Sequence, residues 1–197
     1  MILGIDPGFA SCGYALLTPL KGGEGGAQPI VFSSAGVVRT QKTSRKVPLW
    51  EDNARRTGDL YGSLKTVLVT HTDSIRPVLF AVEAESWTRM PSDKLLGMAR
   101  GAIYSLAFER GAAIEQYSPK EVKKEFCKSG SAKKTEVEEQ LISLHPELEE
   151  LLDRLPKTQR AHAADAAACA LFAYRNSNYA RILRAATEQV AAINREV

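Results

Sequence analysis

The chain has 197 residues, 44% of them hydrophobic and 25% charged, and a net charge of +3. This length suits one domain with a sizeable core rather than two full domains, and no apolar run approaches the ~20 residues that span a bilayer. The small net charge excludes a uniformly basic surface. Three scattered cysteines (Cys12, Cys127 and Cys169) argue against a disulfide framework or a zinc site, and the opening lacks the basic and long apolar regions of a secretory signal, so a cytoplasmic location without a membrane partner is expected.

The chain opens on Met1-Ile2-Leu3-Gly4-Ile5-Asp6-Pro7-Gly8, a short apolar strand that ends in a carboxylate and breaks at Pro-Gly. Asp6 either caps that turn or serves a charge that justifies its place in an apolar strand. Cys12 to Leu17 predicts a second strand returning as a hairpin. Residues 20–28 form a glycine-rich loop, and Ile30 to Arg39 a third strand. Thr40 to Lys46 reads as a polar, basic loop exposing Arg39, Lys42, Arg45 and Lys46. From Pro48 a long amphipathic helix carries Leu49, Ala54, Leu60, Leu64, Val67 and Leu68 on one face.

Val78 to Val82 is a strongly apolar strand running into Glu83-Ala84-Glu85, so a second acid emerges at the end of a second buried strand. Alternation puts Glu83 and Glu85 on one face, and either can serve. Ser92 N-caps a helix over 93–110, in which Gly97 and Gly101 lie one turn apart and would admit a close neighbour. Ala112 to Tyr117 is a fifth strand. Ser118-Pro119-Lys120-Glu121 is a capping box with proline at the first helical position. That helix breaks at Ser129-Gly130, another runs from about Ala132 to Leu144, and the acidic 147–157 segment is helical in part. His71 and His145 read as surface residues, and Cys169 as core. The last helix, Gln159 to Tyr174, is alanine-rich. Such a helix can lie close to a sheet and bring a short acid, Asp165, against the strands, with His162 three residues earlier on the same face. Residues 176–197 are a tail or docked helix beyond a domain of residues 1–175.

This order predicts an α/β fold with a mixed sheet. Charge is unevenly placed. Lys120, Lys123, Lys124, Lys128, Lys133 and Lys134 stand against only Glu121 and Glu125, whereas seven acids and no Lys or Arg fill 136–153. One local basic face follows, suited to phosphate contacts. If the strands bearing Asp6 and Glu83 are neighbours, they converge with Asp165 and His162. Clustered carboxylates with few histidines suit hard cations such as Mg²⁺ or Mn²⁺, and a pair of such ions can drive phosphodiester hydrolysis.

The motifs resemble one family in order across about residues 1–174. Ile2 to Gly8 with Gly13-Tyr14 is similar to the opening of RuvC-type Holliday-junction resolvases. Ala81-Val82-Glu83 resembles their second acidic strand, and Gly97-Met98-Ala99-Arg100-Gly101 their Gly-x-Ala-Arg-Gly helix. The 118–137 segment resembles their basic region, and His162-Ala163-Ala164-Asp165-Ala166 their terminal Asp-x-x-Asp-Ala motif. The resemblance implies a ribonuclease H-like fold with a central five-stranded sheet flanked by helices. It also implies a homodimer and Mg²⁺-dependent nicking of opposed strands at a four-way DNA junction, in recombination and repair. Asp6, Glu83, His162 and Asp165 would form a site for two Mg²⁺ ions, with Mn²⁺ substituting. Lys134 or Lys123 would sit near the scissile phosphate, and Trp87, Arg100, Lys120, Lys124 and Lys133 would contact DNA. His162 departs from the family, where many members have Asp. The aromatic wedge of the family aligns near Ser86, with Trp87 the nearest aromatic. Dimer contacts would involve the Gly97–Gly101 helix, and a RuvA–RuvB-like motor is a possible partner that is not assumed.

Three other readings compete. A nuclease for other branched DNA would keep the same site. A non-catalytic junction-binding module would tolerate loss of an acid, which Asp6, Glu83 and Asp165 do not show. An actin-like or sugar-kinase ATPase shares a Gly-Ile-Asp-x-Gly loop but needs a second phosphate loop and an adenosine-binding half.

Overall fold

The computed structural model describes residues 1–19, 30–43, 46–71, 77–84 and 92–182. Five strands form one sheet in the order β3-β2-β1-β4-β5: β1 (Ile2–Asp6), β2 (Ser11–Pro19), β3 (Ile30–Arg39), β4 (Leu79–Glu83) and β5 (Ala113–Tyr117). β1–β2 and β2–β3 are antiparallel, whereas β1–β4 and β4–β5 are parallel. The hairpin, the mixed sheet and all five expected strands are present.

Alternation along each strand divides the core in two. Leu3, Ile5, Leu16, Phe80 and Val82 face one layer, made by helices α1 (Leu49–His71) and α2 (Ser92–Arg110). Leu60, Leu64 and Leu68 of α1 repeat at helical spacing and are fully buried there. Ile2, Ala15, Leu17, Leu79 and Ala81 face the other layer. It is built from α3 (Pro119–Cys127), α4 (Lys134–Leu144), α5 (Glu147–Asp153) and α6 (Lys157–Asn176). α3 starts at the expected capping box, with Ser118 and Glu121 each bonding the other's backbone N–H.

α6 lies on the sheet more closely than ordinary side chains permit. A methyl group on Gly4 would stand 2.0 Å from the Ala166 carbonyl oxygen, and one on Gly13 would stand 2.1 Å from that of His162. Two strand glycines therefore complement the helix alanines, all of which are buried from Ala163 to Ala173. Cys169 is buried within this helix as expected. Gly97 and Gly101, by contrast, face open space, with no atom within 4 Å of an added methyl.

His145 is not the surface residue expected. Its ring packs edge-on against Phe32 at 5.2 Å, and its Nδ1 lies 3.1 Å from Glu147 Oε1. Glu147 also accepts from the Phe32 amide at 3.0 Å, so α5 is tied to edge strand β3. Beyond α6, residues 178–182 make a further helical turn with Ala180 buried. The 20–28 loop, Glu85 and Trp87 lie outside the described residues.

Candidate active site

Register and strand parity assemble the site. β1 and β4 are parallel neighbours with Ile5 beside Val82, so Asp6 and Glu83, one residue further along each strand, end side by side on the α6 face. This is the carboxyl edge of the sheet, where open α/β folds place their ligands. Asp6 is opposite Gly13 of β2, whose missing side chain admits the first turns of α6 and with them His162 and Asp165.

His162 Nδ1 lies 2.6 Å from Asp6 Oδ2, and Lys134, the first residue of α4, donates to Asp165 Oδ2. All four acidic and histidine candidates therefore meet at one place, together with Lys134. Lys123, half-buried on α3, lowers the pKa of Glu83 by its charge. It lines one cleft together with Glu83, Asp165, Pro119, Val122, Val137 and Ala168.

The cluster is strained electrostatically. Burial, reinforced by the carboxylates of Asp6 and then Asp165, pushes Glu83 up to about 7, against the opposing pull of Lys134 and Lys123. Burial likewise raises Asp165, in spite of its bond to Lys134. The hydrogen bond to Asp6 raises His162, outweighing burial. Burial works against the charged form of Lys134, but the bond to Asp165 and the surrounding acids outweigh it, so Lys134 is raised and stays protonated. Among the described residues no set of three or more His, Cys, Asp or Glu side chains stands ready to enclose a metal ion. Lys134 and the imidazole of His162 instead occupy two of the carboxylates. The donor set nonetheless fits a hard divalent cation, because the carboxylates are short of positive charge, as the displaced Glu83 records.

The remaining candidates separate. Lys120, Lys124 and Lys133 are exposed around α3 and the start of α4. Arg100 is not on that face. It is 8% exposed, its guanidinium donating to the Glu83 carbonyl at 2.8 Å, to Gln116 Oε1 at 3.2 Å and to the Tyr104 hydroxyl at 3.1 Å. It braces the end of β4 from beneath. Sequence reasoning missed this role, as well as that of Gly13. The one available signal was a charged residue amid Ala99, Ala102 and Ile103 on the buried side of its helix.

A mixed five-stranded sheet with acids at the carboxyl ends of its two central parallel strands, and another on a closely packed helix, defines a nuclease of the ribonuclease H-like class. The family model for crossover junction endodeoxyribonuclease RuvC matches residues 2–173, and the chain belongs to that family, one of metal-dependent nucleases. It is 32% identical over 171 residues to the crossover junction endodeoxyribonuclease RuvC of Thiobacillus denitrificans, covering 86% of this chain and 85% of that one. With that of Salinibacter ruber it shares 34% over 138 residues, 70% of this chain and 68% of the other. Among solved structures, Thermus thermophilus RuvC in complex with Holliday junction substrate superposes with a TM-score of 0.62 at 27% identity, over 88% of this chain and 94% of that one. The yeast mitochondrial Holliday junction resolvase Ydc2, at 15% identity and a TM-score of 0.58 over 86% of this chain and 75% of that one, shares the fold. Among the described residues no helix is long and apolar enough to cross a membrane.

Proposed function

We propose that this chain is a Holliday-junction resolvase, a structure-specific endonuclease that hydrolyses phosphodiesters in opposed strands of four-way DNA junctions during recombination and repair. The observation that carries the reading is the meeting of Asp6, Glu83 and Asp165 at one sheet edge, with Glu83 driven up to about 7 by burial and then by the other two. A cluster this costly in charge is retained where a cation and a phosphate complete it.

Asp6, Glu83, Asp165 and His162 would hold two Mg²⁺ ions, with Mn²⁺ as substitute. Held there, such ions would supply charge compensation at the scissile phosphate and a more acidic water for its attack. The chain's own residues do the rest. Arg100 fixes the backbone on which Glu83 stands, and Asp6 orients His162. Lys134 remains an ammonium, free to exchange Asp165 for a phosphate oxygen as negative charge develops, and Lys123 shares with it the field on Glu83. Exposed Lys120, Lys124 and Lys133 extend the positive surface from the cleft to the flanking backbone. A homodimer with one site per subunit would match the near two-fold symmetry of a junction, its contacts on the open Gly97–Gly101 stripe of α2.

The test is cleavage of a labelled four-way junction beside linear duplex and three-way DNA, in Mg²⁺, Mn²⁺ and EDTA, with Asp6→Asn as control. Paired nicks confined to the junction, requiring a divalent ion and absent in the variant, are expected. Equal cutting of three-way or flap DNA would replace the substrate while keeping the chemistry. Tight binding without cutting would leave only a junction-binding module.

A further inference from the structure

β1, β3, β4 and β5 run in one direction and β2 against them. Their carboxyl ends share one edge of the sheet, with Asp6 and Glu83 at its middle. The lysine-rich segment leaves that edge from outer strand β5. The opposite outer strand, β3, leaves it at Arg39, which is paired with Ser11. Val37, opposite Gly13, packs in the α6 layer, so alternation turns Arg39 toward the face that carries Asp6 and His162.

The segment that follows is braced. Thr40 donates from its amide to the Ala10 carbonyl at 3.1 Å and from its hydroxyl to the Phe9 carbonyl at 2.5 Å. Arg56, stacked 4.4 Å over the Phe9 ring, donates to the Thr40 hydroxyl at 3.0 Å. Thr43 donates from amide and hydroxyl to Asp52, and Arg55 to the Gln41 carbonyl at 2.6 Å. Every one of these bonds holds backbone or inward-facing groups against the turn after Asp6 and the start of α1. Arg39, Lys42 and Lys46 remain exposed, and among the described residues none of the three has an acidic partner. The nearby acids Asp52 and Asp59 are both engaged by Arg55.

We propose that Arg39, Lys42 and Lys46 form a second phosphate-binding bank, which grips the backbone of a duplex arm on the side of the acidic centre opposite α3. This rests on the resolvase reading above and extends its DNA contact surface. Five strands spaced about 4.8 Å apart put the two banks about 20 Å from each other, which spans roughly six phosphates of one strand. The acidic centre lies between them, so a strand held at both banks is presented to it rather than repelled. Lysine ammoniums contact phosphates without reading bases, so the bank contributes affinity and register but no sequence preference.

The experiment compares the wild-type chain with Lys42→Ala/Lys46→Ala and with Arg39→Gln. Equilibrium binding to a four-way junction and to linear duplex is measured in EDTA over a range of salt concentrations. For the double variant, affinity for both DNAs falls by about tenfold near physiological salt. The slope of log K against log salt becomes shallower by about 1.8 per bound chain, and the melting temperature is unchanged because both lysines are exposed. Lys42→Glu/Lys46→Glu loses more than the alanine pair. Unchanged affinity and slope in both double variants overturn the bank. A wild-type chain that binds linear duplex as tightly as the junction would remove the junction reading instead, while the slope difference on duplex still decides the bank.

Discussion

Glu83 stands where β4 ends, and what holds it there is the buried guanidinium of Arg100 on its carbonyl. Truncating Arg100 leaves that carbonyl, Gln116 and Tyr104 short of a charged donor. The expected cost of Arg100→Ala is about 1.5–3 kcal/mol of stability, the range for hydrogen bonds involving charge. Cleavage should fall at least tenfold, with junction affinity in EDTA nearly unchanged because the side chain does not reach the surface. A loss of affinity as large as that of activity would instead make Arg100 a DNA contact. Lys134 makes the opposite case. Its side chain is 59% exposed outside the Asp165 pair, so Lys134→Ala should leave the fold intact. It should lower the single-turnover cleavage rate by roughly 10²–10³, the scale for losing one donor aimed at developing charge. Rates at saturating enzyme separate this from weakened binding.

At the scale of elements, the site depends on how near α6 comes to β1 and β2. Gly4→Ala would drive a methyl group into the Ala166 carbonyl and the Ala170 side chain. Backbone lies on both sides, so α6 must lift. About 3 kcal/mol of destabilisation is expected, at the upper end for overpacking. Even at temperatures where the variant is folded, cleavage should fall about 10²-fold as Asp165 and His162 withdraw from the strands. Gly58→Ala and Gly62→Ala on the open side of α1 meet nothing within 4 Å. They should each raise stability by up to about 1 kcal/mol without touching activity. Thermal melts beside cleavage assays distinguish the two kinds of glycine. The contrast also shows what the sequence reveals. Short apolar runs closed by an acid made Asp6 and Glu83 legible as strand-end acids, and the alanine run made α6 legible as a close-packed helix. The packing role of Gly4 and Gly13 was not legible, because the helix they accommodate lies some 150 residues away in the chain, a distance local pattern does not cross. The Lys134–Asp165 and Arg100–Glu83 pairings, 31 and 17 residues apart, were hidden because each joins two different elements whose packing local pattern does not reveal. His145 was misjudged because its partner Phe32 belongs to a distant edge strand.

For the molecule as a whole, the acid cluster sets how stability responds to pH. Glu83 ionises near its ordinary 4.5 in the unfolded chain and at about 7 in the folded one. Between those values the folded state holds a proton that the unfolded state has released, so stability falls as pH rises through this window. The full effect is about 3 kcal/mol. Asp165, also raised, acts in the same direction. His162, raised by Asp6, contributes stability that is present below its ordinary 6.5 and lost as pH climbs through its higher folded value. Asp52, held below its usual range by Thr43 and by Arg55, opposes this trend only at more acidic pH, under 4. In EDTA the chain should therefore melt several degrees higher at pH 5 than at pH 8, on the scale of 2–4 °C per kcal/mol for a chain of this size. Millimolar Mg²⁺ should raise the melting temperature at pH 8 and leave it almost unchanged at pH 5, because the ion binds the ionised cluster that only the higher pH provides. Glu83→Gln should flatten the EDTA profile and weaken the Mg²⁺ response together. A steep EDTA profile surviving in Glu83→Gln would move the source of the pH dependence away from the site. A melting temperature indifferent to Mg²⁺ at pH 8 would mean that the carboxylates do not gather a cation without DNA, and that the scissile phosphate must complete the site.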